Sequence, residues 1–185
     1  MFHMKHHPQI NAYIALLKEW NEIHNLYSKN AYDKLPFHIQ DCIQVAEIIT
    51  NTPLIVLDMG SGAGLPSAIV AIQNPKNTVY AIESTGKKAQ FMLHVKHSLR
   101  LDNYHPIHDD ILHFIHHHSP APHFITAKAF APHPKLMDIC KKILKKHSPT
   151  LLVPINAAQA EAFDHPEWVN RHYAENGYYY IQQPL

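Results

Sequence analysis

Leu54-Ile55-Val56-Leu57-Asp58-Met59-Gly60-Ser61-Gly62-Ala63-Gly64-Leu65-Pro66 runs from an apolar segment straight into a glycine-rich turn. The apolar run is short and β-branched, as a strand buried on both faces is, and it ends at an acid. Five glycines occur in the 185 residues, and three of them, Gly60, Gly62 and Gly64, fall in this one turn. Glycine is needed where the backbone takes positive φ or where a ligand must approach without meeting a Cβ, and Pro66 suits the first turn of a following helix. Strand, ligand-approachable turn and helix in that order predict a wound α/β unit with a ligand across the strand's carboxyl end.

Outward from the turn the pattern changes on either side. Before it, Ile10, Tyr13, Ile14, Leu17, Trp20 and Ile23 recur at helical spacing, and Ile39, Cys42, Ile43, Ala46 and Ile49 do so again after Pro36, so two helices precede the first strand. After it, short apolar runs alternate with helical stretches. Strands are expected at roughly 54 to 58, 78 to 83, 105 to 108, 123 to 128 and 150 to 154, with helices at about 66 to 73, 86 to 99 and 134 to 147. The connections are long enough for right-handed crossovers between parallel strands. In the tail, segments 168–174 and 178–182 flank Asn176-Gly177, a hairpin signal that predicts an antiparallel pair finishing the sheet. The expectation is one domain over 1–185, with 1–50 a helical extension and 54–185 the α/β core.

The glycine spacing separates ligand classes. A dinucleotide fingerprint needs G-x-G-x-x-G, but Gly60 and Gly62 lead to Leu65, and Gly62 and Gly64 lead to Ser67. No Gly-Lys-Ser/Thr follows the turn, which excludes a phosphate-binding P-loop there. The second strand ends in Glu83, where an acid either accepts hydrogen bonds from both hydroxyls of a ribose or stands as a solvated strand-end charge. Asp109 and Asp110 follow the third strand; they suit a helix N-cap as well as an adenine edge, with Ile111 packing on the ring.

Composition bounds the rest. Net charge is +1 with histidine neutral, and Arg100 and Arg171 are the only arginines, a weak electrostatic footprint for gripping nucleic acid unaided. No run approaches a membrane span and the first residues lack a signal-peptide core, so a cytoplasmic protein is expected. Cys42 and Cys140 match neither a zinc spacing nor a redox pair and read as buried thiols. Eighteen histidines, with runs at His6-His7 and His116-His117-His118, invite a metal reading; adjacent side chains point in different directions, so no metal site is expected.

The D-x-G-x-G-x-G turn is similar to motif I of Rossmann-like methyltransferases, and further segments narrow the likeness. Trp20-Asn21-x-x-x-Asn25-Leu26, His38-Ile-x-Asp41-Cys-Ile, Leu57 to Pro66, Glu83-Ser84-x-Gly86-Lys87-Lys88-x-x-Phe91 and Thr126-Ala-Lys128-Ala-Phe130-Ala131 stand in collinear order over about residues 10 to 155. Together they resemble the bacterial RsmG (GidB) family, which methylates guanine N7 in 16S ribosomal RNA. The resemblance implies a class I fold: a central, mostly parallel seven-stranded sheet, two N-terminal helices and a C-terminal antiparallel hairpin. It implies S-adenosyl-L-methionine as cofactor, with contacts at Asp58, Gly60, Gly62, Gly64, Leu65, Glu83, Asp110, Ile111 and Lys128. In this chain Ser67 stands where the family has glycine after Leu-Pro, and Lys128 where it has arginine.

Guanine N7 carries an in-plane lone pair and no proton, so its methylation needs alignment and electrostatics but no general base, and the chain offers no obvious acid–base dyad. N7 lies in the deep groove of A-form RNA, so the base must be in a loop or splayed out. His38, Lys87, Lys88, Lys128 and Phe130 are the candidate RNA-facing residues, Lys128 being the one nearest a catalytic role. Lys87 and Lys88 equally suit a solvated helix turn, Phe130 suits core packing better than stacking, and His38 with Asp41 can brace a helix as readily as touch RNA. The resemblance implies 16S rRNA within a small-subunit particle as partner and a monomeric enzyme. Alternatives are another RNA or a small-molecule acceptor, and a cofactor- or RNA-binding member without turnover.

Overall fold

The structure is a computed structural model and describes residues 7–118, 121–143 and 148–185. Helices α1 (Pro8–His24) and α2 (Leu35–Ile49) are joined through a 3-10 segment, Lys29–Lys34, and lead into β1 (Ile55–Met59). Then come α3 (Ser67–Gln73), β2 (Thr78–Glu83), α4 (Gly86–Leu99), β3 (Tyr104–His108), α5 (Ile111–His118) and β4 (Phe124–Thr126). The chain closes with α6 (His133–Ile143), β5 (Thr150–Ile155), α7 (Ala157–Glu161), β6 (Val169–Asn170) and β7 (Tyr179–Pro184). The seven strands lie in the order β3-β2-β1-β4-β5-β7-β6. β1 to β5 are mutually parallel, and β7 runs antiparallel to both β5 and β6. The fold is Rossmann-like, and the order reverses between β1 and β4, where such sheets open a crevice for ligands at the carboxyl ends of the strands.

The period-two alternation of the strands divides the core. Val56, Val79 and Ala81 join α1, α2, α3 and α4 on one face, while Leu57, Met59 and Ile82 join α5 and α6 on the other. The N-terminal helices are therefore built into one of the two core layers. Tyr13, fully buried on α1, donates from Oη to the Ala63 carbonyl at 2.8 Å, so the first helix ties down the glycine-rich turn. Tyr13→Phe strands that buried carbonyl; we expect a loss of about 1–2 kcal/mol, seen as a Tm lower by roughly 3–6 °C, together with weaker cofactor binding. An unchanged Tm would show that the contact contributes nothing.

Several expectations shift. The fourth strand stops at Thr126 rather than 128, because Ala129 takes a left-handed conformation (φ 53°) that turns the chain out of the sheet. The tail pairs antiparallel as expected, but Asn176-Gly177 is not a two-residue hairpin turn. It closes a 3-10 turn over Ala174–Asn176, with Gly177 as its left-handed cap, inside a longer connection between β6 and β7. Side-chain anchoring decides this: Tyr173 donates to Glu47 at 2.7 Å, and Tyr178 stacks on Phe37 with centroids 4.4 Å apart. The sixth helix is described as far as Ile143; the part expected over 144–147 lies outside the described residues. Two helices, α5 and α7, add to the three expected after the glycine-rich turn, and α5 bears out the N-cap reading of Asp110. The stripe of α5, Ile111, Phe114 and Ile115, is obscured by its exposed histidines, and α7 is short but carries a full capping box between Asn156 and Gln159.

Candidate cofactor and acceptor site

Backbone hydrogen bonds shape the turn before any ligand need be considered. Gly60 N and Ser61 N both donate to the Ile82 carbonyl, at 2.9 and 3.0 Å, which folds the end of β1 over the end of β2. Gly60 adopts φ +67°, and a Cβ there would come within 2.2 Å of Phe130 Cδ2, so the glycine admits the Phe130 ring. Gly62 adopts φ +59°, and a Cβ there would meet nothing within 4 Å. The turn thus packs on one glycine and opens to free space at another.

Glu83 is 6% exposed and stitches two loops together. Its Oε2 accepts from Gly62 N at 2.8 Å and its Oε1 from Thr85 N at 2.7 Å. This carboxylate is neither solvated nor idle; it holds the glycine-rich turn to the start of α4 while each oxygen keeps a further lone pair.

Asp58 sits beneath the turn, sealed from solvent. Thr126 Oγ1 donates to its Oδ1 at 2.7 Å, while Oδ2 has no hydrogen-bond partner among the described residues. Burial pushes this carboxyl above the ordinary 3.8; the Thr126 bond and the nearby Ser61 and Ser67 hydroxyls act against the rise. The unfolded chain therefore ionises first as pH rises, so ionisation costs the native state stability from about pH 4 up to the folded value, and the cost persists above it. Asp58→Asn keeps the Thr126 bond without that cost. Its Tm relative to the parent should rise as pH rises above about 4, while cofactor affinity falls. A difference constant with pH would remove this account. Ser67 is also fully buried, with Oγ 3.3 Å from Tyr104 Oη, so its hydroxyl is absorbed beneath the turn.

The other residues picked out from the sequence separate into groups. Asp110 caps α5, its Oδ1 accepting from Leu112 N at 2.8 Å, and Ile111 is 6% exposed in the α5–α6 core layer. Leu65 is half-buried. Lys87 is exposed and Lys88 half-buried on the first turn of α4, and neither pairs with an acid among the described residues. Phe130 is partly buried against the core, with its ring over Gly60.

His38 and Lys128 do come together, 90 residues apart in sequence, on a cavity of about 240 Å³ framed by Phe37, Asp41, Asn156 and Tyr178 among others. Lys128 Nζ is hydrogen-bonded to Asp41 Oδ2, and Tyr180 Oη lies 2.9 Å from Asp41 Oδ1 and 2.9 Å from Gln44 Oε1. Burial works against the Lys128 ammonium, but Cys42 and Asp41 outweigh it and its pKa is raised. The Cys42 thiol is itself pushed well up by burial and stays neutral at pH 7, so the Asp41 carboxylate is the effective partner. Tyr27 Oη is hydrogen-bonded to His38 Nδ1, and burial followed by the Lys128 charge lowers the His38 pKa. The cavity lies beyond β4 and β5, and the glycine-rich turn beyond β1 and β2, so the two flank the point where strand order reverses. The sequence offers Asp41 as a brace for His38 or an RNA contact, and the structure makes it the partner of Lys128. Tyr27, Phe37, Gln44, Tyr178 and Tyr180 carried no local signal, since their partners lie far off in the chain.

No helix among the described residues is long and apolar enough to cross a membrane, and no group of three or more metal-ligating side chains comes together among them. Among solved structures, the fold is similar to M. capricolum TrmK in complex with S-adenosyl-homocysteine, with a TM-score of 0.56 and 20% identity over 77% of this chain and 66% of that one. It is also similar to a SAM dependent methyltransferase from Aquifex aeolicus, with a TM-score of 0.51 and 18% identity over 74% of this chain and 72% of that one. In sequence, the chain is 32% identical over 164 residues to ribosomal RNA small subunit methyltransferase G of Aliivibrio fischeri, covering 86% of this chain and 75% of the relative. The Pseudomonas putida protein of the same name is 35% identical over 130 residues, 69% of this chain and 58% of the relative, so part of some relatives has no counterpart here. The model of the GidB family, rRNA small subunit methyltransferase G, matches residues 6–177, and the chain belongs to that family.

Proposed function

We propose that this protein transfers a methyl group from S-adenosyl-L-methionine to N7 of a guanine in 16S ribosomal RNA. The observation that carries this reading is the pairing of an open glycine turn beside Glu83 with a cation-bearing cavity across the β1–β4 crevice. The family membership and the relatives' names support it. An orphaned buried oxygen beneath the turn and free space at Gly62 suit a ligand that fits against the backbone.

When bound, the cofactor supplies an electrophilic methyl on a sulfonium. The chain's part is positioning. Glu83 offers its remaining lone pairs to the ribose hydroxyls; Gly60, Gly62, Gly64 and Leu65 carry the backbone that the methionine end lies on, with Asp58 supporting it from below. Asp110 and Ile111 border the adenine. Lys128 and His38 hold the acceptor base, Phe130 shapes the wall between the two halves, and Lys87 and Lys88 meet RNA phosphates. N7 has no proton to lose, so no side chain need act as general base.

A net charge of +1 is small for independent RNA binding, so the substrate is a small-subunit ribosomal particle that supplies further contacts, and the enzyme acts as a monomer in the cytoplasm. The whole chain works as one methyltransferase domain, residues 1–50 bracing the Rossmann-like core at 54–185. The test is mass spectrometry of 16S rRNA from a strain lacking the gene. One 7-methylguanosine should disappear, and purified protein with cofactor should restore it on small-subunit particles better than on naked RNA. Persistence of every 7-methylguanosine would remove the proposal.

A further inference from the structure

The 240 Å³ cavity brings a histidine and a lysine together, two side chains able to donate to one ligand atom. Tyr27 has one phenolic hydrogen and two neighbours for it. The Ala31 carbonyl is 3.5 Å away, outside the range of a good O–H···O bond, which leaves His38 Nδ1 as the better-placed acceptor for it. Burial raises the Tyr27 pKa, which keeps the phenol protonated and able to donate. With Nδ1 accepting, neutral His38 carries its proton on Nε2, which has no partner among the described residues.

Tyr27 is itself held in place. Asn21, 1% exposed, accepts from Tyr27 N at 2.7 Å and donates to Tyr27 O at 2.7 Å, and its amide also reaches Tyr32 Oη at 2.7 Å. The buried amide therefore sets the phenol, and the phenol sets the imidazole.

Around the rest of the cavity the side-chain oxygens already have partners. Asp41 has one oxygen on Lys128 and the other 2.9 Å from Tyr180 Oη, which Gln44 Oε1 also approaches at 2.9 Å. Asn156 Oδ1 accepts from Gln159 N at 2.8 Å and Gln159 Oε1 from Asn156 N at 2.9 Å, which leaves both side-chain NH₂ groups as donors. Phe37, 46% exposed and stacked on Tyr178, offers an aromatic surface at the same rim.

We propose that this cavity is a 6-oxopurine site in which His38 Nε2–H and Lys128 Nζ donate to the purine O6, with Tyr27 positioning His38 by selecting its tautomer. The proposal rests on the guanine reading given above. Guanine presents O6 and N7 as adjacent acceptors on one edge, so donors on O6 also settle where N7 stands. Adenine presents an amino group at position 6, which would set donor against donor at His38 and Lys128. Sites built this way reject the mismatched partner strongly, because buried groups are left unpaired.

Three measurements test it. Nitrogen-15 NMR of histidine-labelled protein should find His38 as the Nε2–H tautomer and a mixture in Tyr27→Phe; an Nδ1–H tautomer in the parent overturns the proposal. With S-adenosylhomocysteine bound, titration with GMP or IMP should move the His38 signals and AMP should not. Equal response to AMP, or no response to any of the three, overturns it. On small-subunit particles His38→Gln, whose amide nitrogen falls near Nε2, should keep methylation within about threefold, and His38→Asn, whose amide falls near Nδ1, should lose about 30-fold or more. The reverse order, or equal losses, overturns the proposal. The NMR arms need no turnover, so a parent protein that fails to methylate particles removes the function proposed above, whereas nucleotide discrimination lost in an active enzyme removes only this inference.

Discussion

Gly62→Asp is expected to lower S-adenosylmethionine affinity by about 100-fold or more while moving Tm by no more than about 3 °C, which calorimetry and thermal melting would read together. Gly62 has φ +59°, where any side chain is strained, and aspartate tolerates that conformation better than most residues. Its Cβ would meet no atom within 4 Å, so nothing in the fold has to move. The new carboxylate would, however, enter the free space above the turn, beside Glu83, whose Oε2 already accepts from Gly62 N at 2.8 Å. A second negative charge there opposes Glu83 and fills the ligand's place.

Gly60→Ala is the contrasting change, because its Cβ would lie 2.2 Å from Phe130 Cδ2 and must displace an aromatic ring from the core. That variant loses stability and binding together. If Gly62→Asp instead melts early, or binds cofactor like the parent, the space above Gly62 is not the cofactor's.

The turn was legible in the sequence because its determinants are local. Asp58, the three glycines, Pro66 and the strand-ending Glu83 each follow from what one stretch of backbone needs, and the parallel order follows from the length of the connections. Where the reading slipped, a distant contact overruled a local signal. Asn176-Gly177 has the composition of a tight hairpin, yet Tyr173 bonds to Glu47 and Tyr178 stacks on Phe37, and those anchors stretch the connection and turn Gly177 into a cap.

In α5 the apolar stripe is interrupted by His113, His116 and His117, so the periodicity was present but its polar face looked like a ligand cluster. The acceptor half of the site was least legible. Asp41 meets Lys128 across 87 positions and Tyr180 across 139, and no spacing rule connects them; only the topology that sets β7 beside β5 and α2 against α3 does so.

That buried network makes the second large effect. Lys128→Met should cost roughly 2–3 kcal/mol, a Tm lower by about 5–10 °C, and Asp41→Asn distinctly less. The asymmetry comes from exposure. The Asp41 side chain is 6% exposed, so without Lys128 its charge is left in a dry site with only Tyr180 in support, whereas Lys128, 21% exposed, can turn its ammonium toward water when Asp41 is neutralised.

The Lys128→Met, Asp41→Asn double variant should recover part of the loss, since it removes the stranded charge, and a double-mutant cycle on chemical denaturation would give the coupling directly. Activity should not recover with stability. Lys128 is proposed to hold the acceptor base, so the double variant should fold nearly as well as Asp41→Asn yet methylate small-subunit particles at least about 30-fold more slowly than the parent. Equal stability losses in the two single variants would contradict the burial argument, and recovered methylation in the double variant would remove Lys128 from the acceptor site.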